Sequence, residues 1–167
     1  MKTRSFFTKI SGVLLAGLMA VAVTACFNDS KGSKDSEPVD ELALINEQVK
    51  DYVIDGFNDG AATMTTEGYA NMAAIVALVK PIVDTMPDEY IMQIAGHCAT
   101  SGDDGSSAAM SKSISLARAK MTYDRLKAAG APDVKMAYKG VGVDDPLPGV
   151  DTGDQKQRRV TFKAIQK

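Results

Sequence analysis

The sequence predicts an α+β domain whose helices pack on one face of a mixed four-stranded sheet. Two patterns lead there. Apolar residues recur at helical spacing in two long segments, and four short segments are apolar either in alternation or throughout. Their order, strand, helix, strand, helix, strand, strand, leaves each helix to bury its apolar stripe against a shared sheet.

The elements follow in order from residue 41. Residues 41–50 suit a short lead-in helix, and Tyr52-Val53-Ile54 a first strand that ends in the turn Gly56-Phe57-Asn58-Asp59-Gly60. Met72, Ile75, Val76, Val79 and Val83 share one face of a helix over about 65–86. Pro81 is expected to kink that helix or end it near Lys80, since proline lacks the donor and clashes with the preceding turn. Residues 89–95, between Pro87 and Gly96, are apolar on both faces, as a central strand would be. Residues 101–107 (SGDDGSS) read as a loop. Residues 113–129 read as a second helix with Leu116, Ala119, Tyr123 and Leu126 on one face and Gly130 as its stop. Val134, Met136 and Tyr138 alternate in a third strand, which Gly140-Val141-Gly142 should break; Val160, Phe162 and Ala164 alternate in a fourth.

Residues 1–25 read as an export signal: Lys2, Arg4 and Lys9 precede a short apolar stretch over 13–23. That stretch is too short to span a bilayer comfortably. Val23-Thr24-Ala25-Cys26 is similar to a bacterial lipobox, which implies that Cys26 becomes a lipidated first residue. Residues 26–40 are polar and read as a tether, with an r.m.s. span of about 20 Å and a reach below roughly 50 Å. Residues 41–167 form the domain.

Without Lys2, Arg4 and Lys9, the 19 basic residues fall to 16 against 21 acidic ones, a net charge of about −5. That balance argues against nucleic acid as a partner and against a polybasic membrane patch. A lipid on Cys26 supplies the membrane affinity instead, at roughly 0.8 kcal/mol per buried methylene. With Cys26 acylated only Cys98 remains, so no intrachain disulfide forms and the fold rests on its core.

Three stretches carry a family likeness: Gly96-His97-Cys98-Ala99, Ser115-Leu116-Ala117-Arg118-Ala119, and Gln157-Arg158-Arg159-Val160. In this order, with Gly140-x-Gly142 and Pro146 between the last two, they resemble the G-H-T-D, L-S-x-x-R-A and N-R-R-V segments of the OmpA-like peptidoglycan-binding domain. The resemblance spans about 52–165 and implies that family's β-α-β-α-β-β sandwich. It also implies a ligand, the diamino acid of the peptidoglycan stem peptide, diaminopimelate in many walls. An arginine would fork two hydrogen bonds to the ligand carboxylate while a carboxylate opposite accepts its ammonium. Arg118 aligns with that arginine, Arg158 and Arg159 with further pocket arginines, and Asn58 falls near another pocket position. Ala99 stands where the carboxylate is expected and Ser111 where an Asn is common. The stretch from Gly102 to Arg118 is longer than the family's, so Asp103 or Asp104 is the candidate to supply the missing charge; otherwise the two are a solvated acidic loop.

Several blander readings stand beside these. An isolated helical arginine is usually a surface residue. Arg158 and Arg159 are consecutive and point to opposite faces, so one is expected toward the pocket and the other as a solvated edge charge. His97 and Cys98, also consecutive, project apart, which argues against a thiol–imidazole nucleophile. Cys98 suits a small buried hydrophobe and His97 a structural residue at a strand end. No metal-ligand spacing is present, and no cofactor is expected. The expected protein is a noncatalytic lipoprotein of the outer membrane, its domain in the periplasm, gripping peptidoglycan and open to envelope protein partners. The alternative is an OmpA-like scaffold that has lost wall binding and serves as a protein-interaction module.

Overall fold

The computed structural model describes residues 40–167. The export signal, the lipidation of Cys26 and all but the last residue of the tether lie outside the described residues. Seven main elements follow in order: α1 (Glu41–Val49), β1 (Val53–Ile54), α2 (Thr66–Thr85), β2 (Tyr90–His97), α3 (Ala108–Ala128), β3 (Met136–Gly142) and β4 (Val160–Gln166). The sheet is mixed, in the order β1-β4-β2-β3. β2 runs parallel to β3, and β4 antiparallel to both β1 and β2. The strand predicted as central lies inside the sheet. No helix among the described residues is long and apolar enough to cross a membrane.

The α/β core forms where the sequence alternates. Met92 and Ile94 of β2 and Val160, Phe162 and Ala164 of β4 meet Met72, Val76, Val79 and Val83 of α2 and Ala119 and Leu126 of α3. β1 is only two residues long, which leaves the outer edge of β4 uncovered further along. Asn46 of α1 closes it: its amide donates to the Ala164 carbonyl at 3.0 Å and accepts from the Ala164 N–H at 2.8 Å. One side chain thus satisfies a donor and an acceptor that a longer β1 would have taken.

Four details depart from the sequence reading. Helix α2 does not end at Lys80 but continues through Pro81 to Thr85. Val79 and Val83 on either side of the proline are fully buried, while Pro81 and Ala77 face solvent, where water can serve the Ala77 carbonyl that loses its partner. Helix α3 starts at Ala108, five residues early, because the Ser107 hydroxyl caps it by accepting from the Met110 N–H. Its buried face is only partly the predicted one: Ala119 and Leu126 are buried and Tyr123 packs against the core as expected. Leu116 is 43% exposed, and the inward positions are Ser111, Ile114, Ser115, Arg118, Ala119, Thr122 and Leu126. Finally, Gly140-Val141-Gly142 extends β3, and Val134 precedes the strand in a 3-10 turn, largely exposed.

The glycines explain where α3 sits. A Cβ on Gly96 would lie 1.9 Å from the Ser115 carbonyl oxygen, and one on Gly140 would lie 2.5 Å from that of Lys112. The helix backbone therefore rests directly on β2 and β3. That close approach brings the next inward residue, Arg118, beneath the end of β2.

Candidate functional site

The site lies where the β1–α2 loop, the end of β2 and the β2–α3 loop meet over α3. Arg118 occupies its centre, with no exposed surface. Nε donates to the Ala61 carbonyl at 2.9 Å, Nη1 to the His97 carbonyl at 3.0 Å, and Nη2 to the Asn58 carbonyl at 2.9 Å. The two remaining N–H groups fork onto Asp104, Nη1 to Oδ2 and Nη2 to Oδ1, both at 2.8 Å. All five guanidinium hydrogens are thereby used. The Phe57 ring lies 5.2 Å from the guanidinium carbon, a favourable cation–π distance.

Asp104 is equally buried, and each of its oxygens accepts twice. Besides Arg118, Oδ1 takes the Gly60 N–H at 2.8 Å and Oδ2 the Ala99 N–H at 3.4 Å. A carboxylate thus lies against the amide of Ala99, brought back from five residues downstream. The loop that carries it is clamped by Asp59, whose carboxylate accepts from the N–H groups of Asp103 at 3.1 Å and Asp104 at 3.2 Å. Those backbone bonds hold the Asp59 carboxyl below its ordinary range. Gly102 has φ +63°, and a Cβ there would lie 1.9 Å from Asp59 Oδ2. Ser111, from α3, donates to the Asp104 carbonyl at 2.6 Å. Asp103 is exposed, and it is Asp104, not Asp103, that pairs with Arg118. Asn58 reaches the arginine through its carbonyl, while its amide bonds Thr63 within the turn.

No family model matches the chain, and no curated protein matches it in sequence. Solved structures do. The OmpA-like domain of FopA1 from Francisella tularensis is 22% identical, with a TM-score of 0.54, over 66% of this chain and 68% of its own. The C-terminal domain of Helicobacter pylori MotB is 13% identical with a TM-score of 0.54, over 68% and 85%. The peptidoglycan-associated lipoprotein of Burkholderia pseudomallei is 15% identical with a TM-score of 0.52, over 70% and 92%. The fold is OmpA-like.

In this OmpA-like fold the two consecutive arginines part as alternation requires. Arg158 turns toward the Arg118 side, where Nε donates to the Phe57 carbonyl at 3.3 Å and Nη1 stands 3.9 Å from Asp59. Arg159 goes to the other side and is not a solvated edge charge. It is 3% exposed, and it donates to Gln157 Oε1 at 3.1 Å and to the Asp145 carbonyl at 2.9 Å. Alternation gives a residue's face but not what covers that face, and here the β3–β4 connection covers it.

His97 is buried against Thr161, with Nε2 and the hydroxyl 2.9 Å apart. Burial, and then the Arg159 charge, push its pKa down to about 4, so the ring is neutral at physiological pH. Cys98 is buried with Sγ 3.3 Å from the Ser111 carbonyl, and burial pushes the thiol up to about 11, which leaves it protonated.

The histidine has a measurable consequence. Between pH 6.5 and about 4 the unfolded chain binds a proton that folded His97 refuses. Its contribution is therefore fully present above pH 6.5 and is lost as pH falls toward 4. The expected loss by about pH 4.5 is roughly 2–3 kcal/mol. Urea midpoints at about pH 7 and about pH 4.5 should show it in the wild type and shrink it in His97→Gln. An equal pH dependence in both proteins would remove His97 from this role.

The sequence singles out Arg118 and, as alternatives, Asp103 or Asp104; it marks Gly96 only as a motif glycine and Asp59 only as a turn residue, and nothing in it points to the carbonyl of Ala61. Asp59 had a local signal, an Asp-Gly pair in a turn, where a short carboxylate commonly binds nearby backbone N–H groups.

Proposed function

We propose that this protein is a lipid-anchored, noncatalytic envelope protein that binds peptidoglycan noncovalently and ties the outer membrane to the wall. Cys26 carries the lipid, residues 26–40 form the tether, and the domain over 41–167 faces the periplasm. The supporting observation is the Arg118 cage: an OmpA-like fold presents, beneath two surface loops, a guanidinium that forks onto a carboxylate with two backbone N–H groups facing the same oxygens. That is chemistry for recognising the carboxylate of a stem-peptide diamino acid. Beside it, a groove of about 300 Å³ is lined by Asp55, Gly56, Phe57, Thr65, Gln155 and Lys156. It offers a carboxylate and an ammonium to the rest of a zwitterionic peptide. In this reading Arg118, Arg158 and Asn58 face the ligand carboxylate at the place where Asp104 now sits, Asp103 lies on the rim toward its ammonium, and Arg159 holds the far side of the strand end. Envelope proteins are further partners.

One observation favours the second reading, a scaffold that has given up wall recognition for protein interaction. Arg118 has no free N–H, and neither it nor Asp104 is exposed. Co-sedimentation of the full-length protein with purified peptidoglycan separates the two. The tether requires the wild type to pellet and Arg158→Ala to weaken retention by about tenfold or more, the worth of a charge-assisted hydrogen bond. Wild-type protein that stays in the supernatant at saturating wall sinks it in favour of the scaffold.

A further inference from the structure

We infer that Asp104 is a resident competitor: it fills, in cis, a carboxylate seat that an incoming carboxylate must take from it. The wall-binding reading supplies the identity of the incoming ligand; the seat itself rests on geometry alone.

Four donors converge on the two Asp104 oxygens, and they come from Arg118, Gly60 and Ala99, three separate segments of chain. Three of the four, from Arg118 and Gly60, lie outside the β2–α3 loop that carries Asp104, and the fourth, the longest at 3.4 Å, comes from Ala99 at the root of that loop, so most of the seat stands without the segment that fills it. The guanidinium is held independently by the carbonyls of Asn58, Ala61 and His97. Removing Asp104 therefore leaves a preorganised cation with two free N–H groups. The occupant, by contrast, rides on a surface loop whose Ser101, Gly102, Asp103 and Ser106 are exposed. That loop is fastened by the Asp59 clamp and by Ser111. A carboxylate delivered from outside can replace every bond Asp104 makes to the seat, but only while the loop stands away. Its apparent affinity is then the intrinsic one reduced by the fraction of molecules in that open form.

Chemical rescue and wall retention test this together, using full-length protein in mild detergent. Asp104→Ala removes one carboxylate, and formate has that shape. Formate should raise the Tm of Asp104→Ala by about 4 °C at roughly ten times its Kd, beyond any chloride effect, and leave wild type and Asp104→Asn unmoved. Asp104→Asn keeps the loop's shape but weakens the fork, so it should hold peptidoglycan about tenfold more tightly than wild type. Should Asp104→Ala fail to fold even in formate, the Asn variant decides the matter by that gain or its absence. Formate rescue without wall binding by any variant upholds the seat and removes the wall. Equal wall retention by wild type and Asp104→Asn, with no formate effect, upholds wall binding and overturns the competitor.

Discussion

Replacing Arg118 by methionine is expected to cost about 3–5 kcal/mol, much of the stability of a domain this size. The substitution keeps most of the side chain's volume, so the loss comes from polar groups. It leaves the Asp104 carboxylate buried with only the Gly60 and Ala99 N–H groups, and it strips the carbonyls of Asn58, Ala61 and His97 of their guanidinium donors. An uncompensated buried charge is the larger part. Adding Asp104→Leu should recover part of the loss, so that the pair costs less than the sum of its members by about 2 kcal/mol. Urea unfolding followed by circular dichroism measures each corner of the cycle. A single variant within about 1 kcal/mol of wild type would mean the ion pair is solvated and not internal. An Arg118 variant that loses wall binding therefore reports on folding as much as on contact, which makes Arg158 the cleaner probe.

Gly96→Ala should be nearly as costly, about 3 kcal/mol or a Tm lower by roughly 10 °C, for an unrelated reason. Its methyl would be placed 1.9 Å from the Ser115 carbonyl oxygen and 2.8 Å from the carbonyl carbon, with the Ala119 nitrogen at 3.2 Å. These are helix backbone atoms that cannot rotate aside, so α3 must lift from β2 and carry Arg118 with it. Gly140→Ala meets the same helix at Lys112 and Leu116, at 2.5 and 2.7 Å. The two substitutions together should therefore cost less than their sum, since the first has already lifted the helix. Thermal unfolding checks both claims; a Gly96→Ala protein as stable as wild type would show that α3 does not rest on the strand.

Much of the fold was legible because periodicity reports which faces are dry. Val79 and Val83, Met92 and Ile94, and Phe162 and Ala164 announced their elements and are buried as announced. Helix α3 was legible only in part because its buried face is largely polar. Ala119 and Leu126 point inward as expected, but so do Ser111, Ser115, Arg118 and Thr122 while Leu116 points out, so an apolar stripe marks only one edge of that face. Pro81 misled in the opposite sense: a local penalty of helix propensity was outweighed by valines anchored in the core on both sides.

By itself the sequence determined the element order, the mixed sheet, the likeness to OmpA-like domains and the candidates Arg118 and either Asp103 or Asp104. Only the tertiary structure decided that Asp104 is the one, and that it faces Arg118 inside the protein. A charged side chain reads as solvated until its partners are known. Those of Arg118 lie 14 residues away at Asp104, 21 at His97, 57 at Ala61 and 60 at Asn58. No local pattern brings these three segments to one guanidinium. That required Gly96 and Gly140 to admit the helix, and Asp59 to fold the loop over it.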